Sequence, residues 1–467
     1  MTLAVCVCVG LSFLVSAGLA FLIEPISEDL RISDGGVEAV LAVPSIASLV
    51  VIFIAGRTGD RLGHRRTLLL LTGVFIIGSL LLAGAQEVVG VIGGLALCGG
   101  AATAVQIVAL GLLQESVPEG KARVSAFTTF GMVYPLALLV FPVLTAWLLD
   151  KAVWRLLPLL WAVAGLVMAG VVMGLVQRAT VRRPFGEWLT LLLGGVALAA
   201  GVRFLDSVGR QGIVTSGTLV ALLTLIVALI AFAVRFRAVV APGFSFAPMR
   251  GALVRSLLFG VAVVSLVGTV TYVIFAFEYM YGMSPFKAAV AVIPAQVGAV
   301  LGAKVFAGIA INRWGVTNAG RRLMLVLAIT LLPLLAMQPS TPAWYLACCA
   351  TLFMTAAFAV VTALTIDVMS YAPPGGSGPI SAIRGAASAI GAGLGVVVLG
   401  TSVITAVTMS GGAGEVSADQ VRQLAWGLRL DGGLGFVAVL IAWVVLMVGY
   451  RVISNTGSAQ SSASAES

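Results

Sequence analysis

The sequence predicts an all-α polytopic membrane protein, and three observations support this fold class. First, 60% of the residues are hydrophobic and only 10% are charged, whereas soluble domains are about half apolar and about a quarter charged. Second, the apolar residues form blocks of about 20, which at about 1.5 Å per residue cross a hydrocarbon layer of about 30 Å. Third, these blocks recur along all 467 residues. The short alternating strands of an outer-membrane barrel do not fit this pattern.

The apolar blocks predict fourteen spans. The first, "MTLAVCVCVGLSFLVSAGLAFLI", has no charged leader and is too long for the apolar region of a signal peptide. It is therefore expected to cross the membrane. In order, the predicted spans are 1–23, 35–55, 67–85, 88–113, 124–147, 156–176, 187–204, 214–234, 251–276, 286–311, 321–338, 343–366, 379–403 and 432–451.

The positive charges predict the orientation of the chain. Basic residues cluster in the loops after even-numbered spans, whereas the opposite loops are mainly acidic. Because basic loops stay in the cytoplasm, both termini are predicted to be cytoplasmic, in a multi-pass protein of a bacterial inner membrane. The same loops explain the net charge of +9, so no nucleic-acid partner is expected. They contain Arg57, Arg61, Arg65, Arg66, Lys121, Arg123, Arg178, Arg182, Arg183, Arg235, Arg237, Arg250, Arg313, Arg321 and Arg322.

The loop after the second span, "GRTGDRLGHRR", is unusually polar for this chain. Its motif positions are Gly56, Asp60, Arg61, Gly63, Arg65 and Arg66. A weaker copy, "GIAINRWG", follows the tenth span and places Gly308, Asn312, Arg313 and Gly315 at the corresponding spacing. An internal repeat of this kind is typical of transporters whose pathway lies between two related halves.

The pattern Gly-x-x-x-Asp-Arg-x-Gly-x-Arg-Arg after a second span resembles the signature loop of the major facilitator superfamily. Together with fourteen spans, it resembles the drug:proton antiporter branch of that superfamily. "VWRLLPLLWAVAGL", "FEYMYGMSPFKAAVAVIP" and "GPISAIRGAASAIGAGLGVVVLG" support the resemblance, which covers nearly the whole chain.

The resemblance implies a major facilitator fold, with two pseudo-symmetric six-helix bundles at 1–176 and 251–452. Two linker helices at 187–234 would join them. The small, polar segment 453–467 is expected to be a disordered cytoplasmic tail.

The implied function is secondary transport by alternating access, with export of a hydrophobic or amphiphilic small molecule. In this superfamily the loop aspartate pairs with basic residues and with a neighbouring helix end, which latches the cytoplasmic side. Asp60, with Arg61 and Arg65, is expected to form that latch. Asn312 lacks the charge, so the second copy is expected to be weaker or only structural.

Three departures from the branch weaken the expectation of proton antiport. The first span has no acid before Glu24, and Val15 or a neighbour stands where the branch has an aspartate. The fourth span has Gly94 and Leu97 in place of an arginine and a glutamine. The fifth keeps Pro142 in "FPVLTA" but loses the accompanying glycines.

Ionisable groups inside spans are candidates for coupling or substrate binding. Glu278 has the aromatic neighbours Phe277, Tyr279 and Tyr281, whose rings offer faces to a cation; alternatively, they form an interfacial belt around a solvated carboxylate. Glu38 near the start of span two is either a titrating group or an ordinary interfacial acid. Lys304 either has a role in binding substrate or extends its amine to the membrane–water interface.

Enzymatic function is not expected. The chain has no Walker motif, and its single histidine provides neither a histidine metal site nor a histidine-based triad. No cofactor and no metal are therefore expected. The expected partners are a small-molecule substrate, protons and the lipid bilayer, for a monomer. Two alternatives stay open: an uncoupled facilitator of the same fold, and a non-transporting membrane partner or sensor.

Overall fold

A computed structural model describes residues 1–32, 34–149, 153–177, 187–211, 215–239, 250–373, 375–408 and 418–463. Within these ranges every regular element is a helix. The prediction of an all-α protein is therefore confirmed.

The N-terminal bundle contains the helices of the first six predicted spans. They are α1 (Thr2–Ser12), α2 (Leu14–Asp29), α3 (Asp34–Leu62), α4 (His64–Ala83), α5 (Val88–Ser116), α6 (Lys121–Leu149) and α7 (Leu156–Leu175). The first span is thus two helices, which meet at Phe13. The hydroxyl of Ser12 donates to the carbonyl of Val9 at 2.7 Å, and such back-bonding is a common cause of bends in apolar helices.

Two linker helices follow, α8 (Trp188–Gln211) and α9 (Ser216–Ala238). α8 packs against α3 and also against the C-terminal bundle, whereas α9 packs chiefly against α8. A Cβ atom at Gly195 would lie 2.1 Å from the carbonyl oxygen of Val50. Glycine therefore permits the close contact between α8 and α3.

The C-terminal bundle contains α10 (Arg250–Phe275), α11 (Pro285–Leu301), α12 (Ala307–Trp314), α13 (Val316–Leu331), α14 (Ala343–Met369), α15 (Ser377–Thr408) and α16 (Ala418–Ala463). A π-helical turn, Ala276–Met280, follows α10, and a second, Gly302–Phe306, joins α11 to α12. A π-helical turn contains one residue more than an α-helical turn, and such turns occur frequently at functional sites.

In the part of the chain that the structure describes, thirteen helices are long and apolar enough to cross a membrane. The count of fourteen remains a prediction. The predicted start of the last span, 432, is too far along the sequence. The helix α16 starts at Ala418, and its apolar window is Val421–Val445. Of the charged residues in "RQLAWGLRLDGG", Arg429 donates to the carbonyl of Met337 and Asp431 is buried, whereas Arg422 is exposed.

α16 continues to Ala463, over most of the segment expected to be a disordered tail. Continuing a formed helix adds one hydrogen bond per residue and needs no new nucleation, so a polar segment can follow an apolar span as helix.

The two ends of the protein are named here by their acidic residues. At the Asp60 end, α3 ends, α4 begins and α15 begins. At the opposite, Asp29 end, the carboxylate of Asp29 accepts hydrogen bonds from the indole of Trp154 at 3.1 Å and from Arg155 at 2.7 Å. Arg155 also donates to the carbonyl of Ala85 at 3.1 Å. The "VWRLL" segment therefore ties α2, the α4–α5 connection and α7 together.

Candidate functional site

The polar loop forms a sharp corner between α3 and α4. Gly63 has φ 85° and ψ 138°, a backbone conformation that side chains with a Cβ rarely adopt. Gly315 makes the corresponding corner between α12 and α13, with φ 76° and ψ 162°. The weak sequence repeat thus coincides with a repeated backbone corner in the two bundles.

The carboxylate of Asp60 lies at the first turn of α15. Its Oδ1 atom accepts a hydrogen bond from the backbone N–H of Gly378 at 3.0 Å. The first N–H groups of a helix have no partner within the helix and carry a partial positive charge, so a carboxylate stabilises this position. The contact joins the N-terminal bundle to the C-terminal bundle.

Glycine makes the approach between α3 and α15 possible. A Cβ atom at Gly56 would lie 2.3 Å from the carbonyl oxygen of Gly378, and one at Gly378 would lie 1.8 Å from the carbonyl oxygen of Gly56. Both helices therefore need glycine at this crossing. The first glycine of the sequence motif has a packing role that spacing alone did not reveal.

His64 and Glu115 extend the contact around Asp60. The hydroxyl of Ser377 donates to Glu115 at 2.8 Å, again between the bundles, and Glu115 lies 3.7 Å from Nδ1 of His64. Ligand atoms of Asp60, His64 and Glu115 lie within 4.8 Å of one another. Sequence reasoning included neither Glu115 nor Ser377, although "LLQES" is an acidic end to a long apolar run.

The arginines of the motif have different environments. Arg65 donates to the carbonyl of Met173 at 2.9 Å, near the end of α7. A cation at that position complements the negative end of the helix dipole. Arg61 is half-buried and Arg66 is exposed. Arg65 thus holds α4 to α7 within the N-terminal bundle.

Among the described residues, the second copy of the motif makes no contact like that of Asp60 with Gly378. Asn312 and Arg313 are exposed, and a Cβ atom at Gly308 would be in ordinary contact, at 3.8 Å, with Thr128 of α6.

The polar network of the C-terminal bundle lies elsewhere. Arg255 of α10 donates to Asp367 of α14 at 2.8 Å, and both side chains are buried. Thr317 donates to the same carboxylate at 3.2 Å, and Arg255 lies 4.4 Å from the ring centroid of Tyr371. Sequence reasoning missed this pair, although Asp367 interrupts the apolar run "TALTIDVMS".

Lys304 is in the second π-helical turn and contacts the other bundle. Its amine donates to the carbonyl of Ser125 at 3.4 Å and to the hydroxyl of Thr129, both on α6. The structure therefore gives this lysine partners in the N-terminal bundle, near the start of α6.

Glu278 and Tyr279 lie in the first π-helical turn, toward the Asp29 end, and both are half-buried. Tyr279 packs against Phe275, with ring centroids 5.9 Å apart. Glu38 belongs to α3, but its side chain lies outside the described residues. The structure does not bring Glu278 together with Lys304 or with the Asp60 end.

Polar and aromatic groups also meet at the break in the first span. Gln106 of α5 donates to the hydroxyl of Ser12 at 3.1 Å. Tyr134 of α6 stands between Phe13 and Phe358 of α14, with ring centroids 4.8 and 6.1 Å away. This cluster, Ser12, Phe13, Gln106, Tyr134 and Phe358, is called the central aromatic cluster below. It spans the boundary between the two bundles.

The fold and these contacts define a class of protein: a multi-pass helical membrane protein with two related bundles, joined by hydrogen bonds at the Asp60 end and by the central aromatic cluster. The chain belongs to the Major Facilitator Superfamily, whose family model matches residues 5–396. The recognition from the sequence motif is therefore confirmed, and the chain is a membrane transport protein by family.

Curated relatives include transporters of that superfamily. The chain is 26% identical over 431 residues to a tetracenomycin C resistance and export protein of Streptomyces glaucescens, which covers 90% of this chain and 77% of that protein. It is 27% identical over 283 residues to an uncharacterised superfamily transporter of Mycobacterium tuberculosis, which covers 58% of this chain and 40% of that protein.

Solved structures share the fold. The human organic anion transporter MFSD10 has a TM-score of 0.65 at 15% identity and covers 94% of this chain and 98% of its own. The proton:xylose symporter XylE has a TM-score of 0.62 at 14% identity and covers 95% of each chain. At these identities the similarity establishes the fold alone.

Proposed function

We propose that this protein exports a hydrophobic or amphiphilic small molecule across the bacterial cytoplasmic membrane by alternating access, driven by protons. The observation that carries the proposal is the set of bundle-to-bundle contacts at the Asp60 end. Asp60 bonds to Gly378, Glu115 to Ser377, and Lys304 to Ser125 and Thr129.

These contacts support a gate because they are hydrogen bonds between the two bundles that lie together at the Asp60 end. Hydrogen bonds of this kind can be exchanged for hydrogen bonds to water at a small net cost in free energy. Opening the Asp60 end breaks these bonds and separates α3 from α15 and α6 from the helices of the C-terminal bundle that it contacts. The two bundles then move as units, as rocking-bundle transporters do.

The central aromatic cluster supports an apolar substrate. Tyr134, Phe13 and Phe358 offer ring faces, and Gln106 and Ser12 offer hydrogen-bonding groups beside them. Ligand sites commonly combine a mostly apolar lining with a few polar groups. The Streptomyces glaucescens relative exports tetracenomycin C by name, so tetracenomycin C is the first compound to test.

The orientation in the proposal follows from the basic loops. The Asp60 end carries the arginines of the motif and is assigned to the cytoplasm by the positive-inside rule. Both termini are then cytoplasmic, and the Asp29 end faces outward. The protein is proposed to act as a monomer.

Transport into everted membrane vesicles tests the proposal. Vesicles containing the protein should accumulate tetracenomycin C when acidified inside by respiration, and a protonophore should abolish the accumulation. Vesicles carrying Tyr134→Ala serve as a matched variant, expected to accumulate less. A signal equal to that of vesicles lacking the protein would reject export of this compound.

An uncoupled facilitator is the second candidate, because the first span carries no acid before Glu24. A facilitator would let the compound equilibrate across the vesicle membrane without accumulating it. Uptake that reaches the external concentration, and is unchanged by the protonophore, would favour this alternative over coupled export.

A further inference from the structure

A buried carboxyl group, Asp431, lies where α16 packs on α10. A Cβ atom at Gly427 would lie 2.9 Å from the ring of Tyr272, which shows that these two helices approach closely. Asp431 is one turn further along α16, and Thr269 is about one turn back along α10. Thr269 is accordingly the polar neighbour of the Asp431 carboxyl group.

This carboxyl group is withdrawn from solvent and has no strong partner. Asp431 and Thr269 are each 1% exposed. Within the part of the chain that the structure describes, neither carboxyl oxygen of Asp431 has a hydrogen-bond partner at normal distance, and the Thr269 hydroxyl has none. Ser265, one turn further along α10, is also buried with its hydroxyl unpartnered. α10 thus presents two spare hydroxyl groups at helical spacing.

The charged groups on the surrounding helices are engaged elsewhere. On α16, Arg429 donates to the carbonyl of Met337, and Arg422 and Asp419 form an exposed pair. On α10, Arg255 pairs with Asp367. On α15, Arg384 donates to Thr365 and lies over the ring of Phe259.

Two further elements packed against α16 also carry ionisable groups. Glu278 is in the π-helical turn after α10, and Arg321 and Arg322 are in the first two turns of α13. No ion pair with Asp431 is found among the described residues.

An ionised carboxylate in such a place carries a large desolvation penalty that no neighbour offsets. The neutral acid avoids this penalty, and its O–H group can donate to the hydroxyl of Thr269. When α16 moves relative to α10 and water reaches the site, the ionised form becomes acceptable. A movement that admits water to this helix contact would therefore exchange a bound proton with the solvent.

We propose that Asp431, with Thr269 beside it, is a proton-binding site of the C-terminal bundle. It binds one proton while the α10–α16 contact is closed and releases it when that contact opens. This inference rests on the proposed function, since it supplies the coupling acid that the first span lacks. Sequence reasoning missed it because Asp431 lies one residue before the predicted span 432–451.

Labelling with dicyclohexylcarbodiimide tests proton binding without any transport assay. This apolar reagent reacts with protonated carboxyl groups in apolar surroundings: the acid O–H adds across one C=N bond and the adduct rearranges to a stable N-acylurea. With the full-length protein, peptide mass spectrometry should find the adduct at Asp431, decreasing as the pH is raised. Exposed Asp419 is the internal control and should remain unlabelled.

The variant Asp431→Asn should lose this adduct while keeping the melting temperature of the folded protein, because an amide replaces a neutral acid of the same shape. If that variant does not fold, Asp431→Glu is used instead and should retain pH-dependent labelling. Absence of the adduct in the unmodified protein, or labelling that does not change with pH, would overturn the proposal.

Transport measurements then distinguish a failure of the proton-binding site from a failure of the proposed export. In everted vesicles, Asp431→Asn should still equilibrate tetracenomycin C but should lose the protonophore-sensitive accumulation. Accumulation that survives in Asp431→Asn, or that follows a sodium gradient alone, would contradict the proton site and leave export standing. If the unmodified protein moves no tetracenomycin C while Asp431 is labelled, export of that compound fails and the proton site stands.

Discussion

Asp60 shows how a single residue can control the contact between two bundles. Its carboxylate has one backbone N–H of α15 as a partner across the boundary, at 3.0 Å. A carboxylate at a helix N-terminus typically contributes about 0.3–1 kcal/mol. That amount is small against the stability of a bundle, yet it can shift an equilibrium between two conformations by up to about fivefold. The residue is therefore suited to bias the conformation and unsuited to hold the fold.

We predict that Asp60→Asn opens the Asp60 end. The amide oxygen still accepts a hydrogen bond, but the charge that favours the helix terminus is lost, at a cost of about 1 kcal/mol. The ratio of open to closed forms should rise roughly fivefold. Distances between spin labels at the starts of α4 and α15, in a chain without its native cysteines, measure this ratio.

Asp419→Asn is the matched control for Asp60→Asn, because its pair with Arg422 is exposed at the opposite end. It should leave the distance distribution unchanged. An unchanged distribution in Asp60→Asn itself would refute the latch.

Asp29 should make stability depend on pH. Hydrogen bonds from Arg155 and from Trp154 lower the pKa of the Asp29 carboxyl group below its ordinary value. Because the folded protein holds the ionised form, this contribution is present above the ordinary pKa of about 3.9 and is lost as the pH falls through the lower, folded value. Since the pair is partly exposed, the effect is small.

Asp29→Asn should therefore lower the melting temperature at neutral pH, and the difference from the unmodified protein should shrink at acidic pH. Thermal unfolding in detergent at both pH values measures this. A difference that grows on acidification would contradict the assigned sign.

At the scale of elements, the crossing of α3 and α15 depends on two glycines that belong to different bundles. Each backbone takes up the space that a Cβ atom of the other would need. The same device brings α8 against α3 at Gly195. Small residues at such crossings allow close helix contact inside a membrane.

We predict that Gly378→Ala opens the Asp60 end more than Asp60→Asn does. The new methyl group would lie 1.8 Å from the carbonyl oxygen of Gly56, so α3 and α15 must separate. Gly73→Ala is the matched control, since a Cβ atom there meets nothing within 4 Å. The control should keep the spin-label distances and gain about 0.5–1 kcal/mol of helix stability. Equal distances in both variants would refute the packing role.

At the scale of the whole molecule, the distribution of charge predicts which end faces the cytoplasm. Lys121, the first residue of α6, lies on the Asp60 side, and Glu87, between α4 and α5, lies on the opposite side. Both side chains are exposed. The two positions therefore report the orientation.

Single cysteines at positions 121 and 87, in a chain without its native cysteines, test this orientation. A membrane-impermeant maleimide should label Glu87→Cys in intact cells and Lys121→Cys only in everted vesicles. The reverse pattern would place the termini outside.

The residues show why some of the site was predictable. "GRTGDRLGHRR" was recognisable because a sharp corner needs glycine at position 63 and a latch needs a charge at position 60. Glu115, Ser377 and Gly378 were not recognised, because their sequence contexts are ordinary and only their proximity to Asp60 makes them informative. Asp431 stands one residue before the predicted span 432–451, so a search for ionisable groups inside spans does not find it.

The sequence by itself determined the helical membrane class, the superfamily and the approximate order of the spans. These follow from the length of apolar runs and from the position of glycine in a motif. Both can be read from the sequence, because hydrophobicity and backbone conformation are local properties of the residues. Only the tertiary structure decided which bundle-to-bundle contacts close the Asp60 end, which glycines permit them and which acid is buried outside any ion pair among the described residues. Those are properties of pairs of residues up to about 318 positions apart, and they exist only once the helices are packed.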